Sequence, residues 1–135
     1  MTLHEIQDYI HRLPNVTTTD NFGYRFFCYA TDQVRPFISL IEEDNEYDRL
    51  SNLNREGTFR LNIGVSRETF KSLFPEKTED WDYTELNTVM PHPEYASHHF
   101  VCVLNPTGDT LTQTLQFIDE AHALAKKRFE SKQPG

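Results

Sequence analysis

The chain has 135 residues, with 37% hydrophobic and 25% charged residues and a formal charge of −8. That is the length and composition of one folded domain, large enough to stand without disulfides or a structural metal, and it excludes collagen-like and disordered material. The negative balance disfavours nucleic acid as a partner, because non-specific affinity comes from neutralised phosphates.

In chain order, Thr2 and Glu5 have capping-box spacing. Leu3, Ile6, Ile10 and Leu13 then recur at helical intervals until Pro14, which predicts a helix over 3–13. Asn21-Phe22-Gly23 reads as a turn into a strand over 24–29, where Tyr24, Phe26 and Cys28 share one face and Arg25, Phe27 and Tyr29 the other. Phe37 to Ile41 is a second strand, apolar on both faces and so central to its sheet. Residues 42–48 carry five acids and no base, and 42–57 form a polar connection ending at Gly57. In 59–65 the alternation is strict: Phe59, Leu61, Ile63 and Val65 point one way, and Arg60, Asn62 and Gly64 the other. Ser66 caps a short helix that ends at Pro75. Residues 76–95 read as a long acidic loop with a short strand near Thr88-Val89. A strand over His98–Leu104 and a turn at 105–108 follow. Thr110 and Gln113 repeat the capping-box spacing ahead of a long helix using Leu111, Leu115, Ile118, Leu124 and Phe129.

These elements predict one α+β domain over 1–135, an antiparallel sheet of about four to six strands with the N- and C-terminal helices packed on one face. The aromatic second face of the 24–29 strand then needs a cover of its own: the 76–95 loop, a dimer partner or a ligand groove. The chain starts directly in a helix without a basic start and apolar run, and no stretch approaches the roughly 18 apolar residues of a membrane span, so a cytoplasmic protein with no membrane partner is expected. Cys28 and Cys102 are expected to be buried, reduced thiols.

Arg49-Leu50, Arg55-Glu56-Gly57-Thr58-Phe59-Arg60-Leu61-Asn62-Ile63-Gly64-Val65, and later Pro91-His92-Pro93-Glu94-Tyr95 and Val103-Leu104-Asn105-Pro106 resemble the motifs of an uncharacterised bacterial family, domain of unknown function 6194. The resemblance spans nearly the whole chain and implies a fold without an activity. In element order the chain is also similar, more distantly, to MmcQ/YjbR-like domains, for which a double-wing DNA-binding role has been proposed.

Residues 49–71 hold Arg49, Arg55, Arg60, Arg67 and Lys71 against Glu56 and Glu68, a local +3. Arg60 and Asn62 share a strand face close to the helix start at Ser66, which makes a candidate anion site with loop residues around His92. Pairing of these arginines with the 42–48 and 76–85 acids on a solvated surface is the plainer alternative. His92, Glu94, His98 and His99 lack metal-ligand spacing, so no metal and no cofactor are expected. Catalytic residues are not identifiable; Asp48 and Glu94 are acid–base candidates that nothing in the sequence brings together. Three functions stay open: a small, self-associating binding or interaction module forming a homodimer, an enzyme or binder of a small anionic ligand with a pocket near Arg60, Asn62 and His92, and a DNA-binding domain.

Overall fold

The structure is a computed structural model that describes residues 1–76 and 80–132. Its elements are α1 (Leu3–His11), β1 (Val16–Asn21), β2 (Tyr24–Tyr29), β3 (Ile38–Ile41), β4 (Arg60–Gly64), α2 (Arg67–Leu73), β5 (Met90–Pro91), β6 (Phe100–Leu104) and α3 (Gly108–Ser131). The six strands form one antiparallel sheet in the order β1-β2-β3-β4-β6-β5. Among the described residues no helix is long and apolar enough to cross a membrane.

α1 starts where its sequence says it should. Thr2 Oγ1 accepts from the Glu5 N–H and the Glu5 carboxylate accepts from the Thr2 N–H, so both halves of the capping box form. Ile6 and Ile10 lie one turn apart and are fully buried. Together with Phe117, Ile118, Ala121 and Ala125 of α3 they cover one sheet face, built from Phe27, Tyr29, Ile38, Leu40, Leu61, Ile63, Val101 and Val103. Polar bonds at the edge fix the helices to each other and to the sheet. Tyr9 donates to Asp119, and the Glu120 carboxylate accepts from the Ser66 N–H and the Thr69 hydroxyl.

Several boundaries differ from the sequence reading. β1 is a strand that no apolar alternation announces: Val16 is its single apolar residue, and the Thr17-Thr18-Thr19 run supplies β-branched shape instead. Phe22 and Gly23 both have positive φ, 54° and 83°, the backbone of a two-residue hairpin turn joining β1 to β2. The short strand of the acidic loop pairs at Met90–Pro91, two residues later than Thr88-Val89. His98 and His99 fall outside β6, in a 3-10 turn (Ala96–His98) closed by His99 at φ 64°. α3 begins at Gly108 with Thr107 at its N-cap, so Thr110 already lies inside the helix and no capping box forms there. Lys77 and Glu79 of the acidic loop lie outside the described residues.

Candidate functional site

Strand register places the other sheet face in rows. Tyr24, Ile41, Arg60 and Leu104 lie side by side across β2, β3, β4 and β6, and Phe26, Ser39, Asn62, Cys102 and Met90 form the next row. Two irregular segments cover part of this face. Leu53 from the 42–57 connection is buried with Ile41, Met90, Cys102 and Leu104, and Trp81 and Tyr83 pack against the same cluster. The 42–57 connection is therefore a cover as well as a solvated acidic loop, sharing that role with Trp81 and Tyr83.

Arg60, which the plainer alternative would leave on a solvated surface, is fully buried, and Asn62 is nearly so. The reason is Asp48. Its carboxylate takes the Arg60 guanidinium in a two-pronged pairing, Nη2 to Oδ2 at 2.5 Å and Nη1 to Oδ1 at 3.2 Å. Nη1 also donates to Ser51 Oγ at 3.1 Å and Nε to Asn62 Oδ1 at 3.1 Å, while Asn62 Nδ2 donates to Ser39 Oγ at 3.0 Å. The Tyr24 hydroxyl completes the network by donating to Asp48. Asp48 is held in place locally, because Asn45 Oδ1 accepts the backbone N–H groups of Tyr47 and Asp48 in a tight Asx turn. Asn45 Nδ2 donates in turn to the Phe22 carbonyl, tying this turn to the β1–β2 hairpin.

Burial works against both charges of the pair, but the mutual hydrogen bonds outweigh it, holding the Asp48 carboxyl below its ordinary range and the Arg60 guanidinium above. Burial and the Asp48 hydrogen bond push the Tyr24 hydroxyl well above its usual value. His92 is 6% exposed. Burial, with the Arg60 charge adding to it, lowers its imidazole to about 4, so the ring is neutral at pH 7. Nδ1 accepts the backbone N–H groups of Glu94 and Tyr95, both at 3.1 Å, which leaves the proton on Nε2.

Arg60, Asn62 and His92 all line one concavity of about 650 Å³, within the range of small-molecule sites. Tyr24, Phe26, Tyr95 and Phe100 give it aromatic sides, and Asp48 and Glu94 also reach it. The α2 start is not part of it: the Ser66 N–H is already occupied by Glu120. His99 is not among its lining residues and its ring lies 5.7 Å from that of Phe70. Among the described residues no group of three or more His, Cys, Asp or Glu could hold a metal ion. Sequence reasoning missed Ser39, Ser51 and Tyr24 as members of the network and left Asp48 unplaced. For Tyr24 a signal existed in the parity of β2; for Ser51, inside an irregular loop, there was none.

An α+β domain with a meandering sheet, helices on one face and a polar-floored pocket on the other is what fold and site define. The chain belongs to the family described as "Family of unknown function (DUF6194)", whose model matches residues 1–134. No curated protein and no solved structure matches it.

Proposed function

We propose that the domain binds a small anionic molecule in the pocket over Arg60, Asn62 and His92. The convergence of those three residues in one aromatic-sided concavity carries this reading. Charge supports it: Arg35, Arg49 and Arg60 against Asp48 and Glu94 give the lining a net +1 in a chain of −8. Binding is favoured over proton-transfer chemistry because Tyr24, Asp48, Arg60 and His92 are all pushed away from neutrality, where acid–base catalysts operate. Two free, buried thiols, Cys28 and Cys102, suit a reducing compartment such as the cytoplasm.

The test is an NMR titration with benzoate and with inorganic phosphate, compared between the wild-type chain and His92→Ala at matched thermal stability. Saturable shifts at His92, the Asn62 side chain and Phe100 are expected in the wild type, with those of Asn62 and Phe100 weakened in the variant. Shifts confined to arginines outside the pocket lining, or none, count against the pocket. Self-association is a second reading with its own observation: Val34, Tyr47, Leu50 and Tyr95 are large, exposed and set around the same concavity. A homodimer closing on these residues is expected to dissociate on Tyr47→Glu in sedimentation runs; a wild-type monomer at high concentration rules it out.

A further inference from the structure

We infer that the ligand is two-ended: an uncharged hydrogen-bond acceptor rests on the pocket floor, a carboxylate or phosphate sits at the mouth, and a flat unsaturated ring joins them. This rests on the pocket reading above and adds which end of the molecule goes where.

Donor counting supplies the first half. Asp48 is saturated, accepting from Arg60 twice, from Tyr24 and from the Leu50 N–H. The Asn62 carbonyl is spent on Arg60, and His92 Nδ1 on two backbone N–H groups. What the floor has left is mostly donors: the Ser39 hydroxyl hydrogen, the second amide hydrogen of Asn62 and the His92 Nε2–H. None of these three has a partner among the described residues, and His92 Nε2 is not among their sealed-off, unpartnered atoms. A ligand oxygen fits such a floor better than a ligand donor does.

Charge supplies the second half. The single cation of the floor, Arg60, is already matched by Asp48, so an anion placed there would lose its water without gaining a free counter-charge. The mouth differs. Arg35 and Arg49 line it, both are exposed, and neither makes an ion pair among the described residues. Glu94 is the one exposed carboxylate among the lining residues, Asp48 being bound below. An acid at the mouth keeps part of its hydration and meets two unpaired guanidinium groups.

The sides set the shape. Tyr24 and Phe26 stack at 5.6 Å and 25° along β2, while Phe100 stands on β6. Those strands are three intervals apart, about 14 Å, which admits one or two fused rings lying on the floor against either aromatic side.

Three probes separate the ends. Orotate carries ring carbonyls and a carboxylate, uracil the same ring without the acid, and benzoate an acid without ring carbonyls. Expected is tighter binding of orotate than of either other compound, followed by NMR at low salt. Arg35→Gln/Arg49→Gln should weaken orotate about tenfold, the scale of two exposed ion pairs, and leave uracil unchanged. His92→Phe should weaken orotate and uracil more than it weakens benzoate. Benzoate binding as tightly as orotate, or orotate indifferent to the double substitution, overturns the two-ended ligand while the pocket itself stands. If none of the three probes at about 10 mM, far above ordinary site affinities, shifts His92, Asn62 or Phe100, the pocket reading falls and this inference with it.

Discussion

Leu61 and Arg60 are neighbours on β4, point to opposite faces of the sheet, and are equally buried at 0% exposure. One face is covered by two helices with apolar stripes, and ordinary packing closes it. The other is covered by irregular segments, whose backbone polar groups must find partners wherever they are buried. Side chains provide them: Arg55 donates to the carbonyls of Ser51, Asn52 and Thr84, and Asp44 accepts from the Leu53 N–H. A helix lays a continuous apolar surface over a sheet, whereas a loop leaves gaps. The difference between the faces is the difference between a closed core and an open, polar-floored concavity.

The comparison breaks first at the ion pair. Arg60→Ala leaves Asp48 beside an empty space and should cost about 3–5 kcal/mol, as removal of one partner of a buried pair does. Arg60→Met/Asp48→Leu should recover most of it. Urea denaturation of the three chains decides, and a loss below about 1 kcal/mol for Arg60→Ala would mean water supports the carboxylate. On the opposite face Leu61→Ala should cost about 2–5 kcal/mol through its cavity, with no recovery from any second change at Asp48. Equal burial thus predicts comparable losses with different rescue patterns.

Acid should destabilise the domain through His92. The folded His92 imidazole titrates at about 4 against an ordinary 6.5, so between those values the unfolded chain binds the extra proton. Its stabilising contribution is complete above pH 6.5 and is lost as pH falls towards about 4, up to about 3 kcal/mol in all. Denaturation series at several pH values should show this slope in the wild type and not in His92→Phe; equal slopes would place His92 in contact with water. The smallest effect is expected at Gly64, where an added Cβ would lie 3.1 Å from the Phe100 ring. Gly64→Ala should cost about 1 kcal/mol, yet displace Phe100 and alter every pocket titration.

Much of the helix-covered face was legible because its signals are local and periodic. The capping box of α1, the alternation of β4 and the Ser66 cap are each readable within a few residues. The pocket was legible in part: parity put Arg60 and Asn62 together, and the Pro-flanked His92 reached the same concavity. Asp48 was not, since its pairing spans 12 residues of irregular chain and its neighbours are equally acidic. Nothing local distinguishes the one carboxylate that turns inward. β1 escaped for a related reason, as a Thr-rich edge strand carries no apolar rhythm.

The strict alternation of β4 also guards against misfolding. Side chains on a strand repeat every two residues, so a slip of one position would drive Arg60 and Asn62 among Ile6, Phe117 and Ile118 and aim Leu61 and Ile63 at the Asp48 carboxylate. Both halves of that error are penalised at once, on a strand held between β3 and β6. Deleting a residue inside the strand, such as Leu61, should therefore abolish cooperative folding, whereas the same deletion at Gly57, in the turn before it, should be absorbed with a modest loss. The buried charge pair acts here as a spelling check on the sheet, rejecting alignments that an all-apolar strand would tolerate.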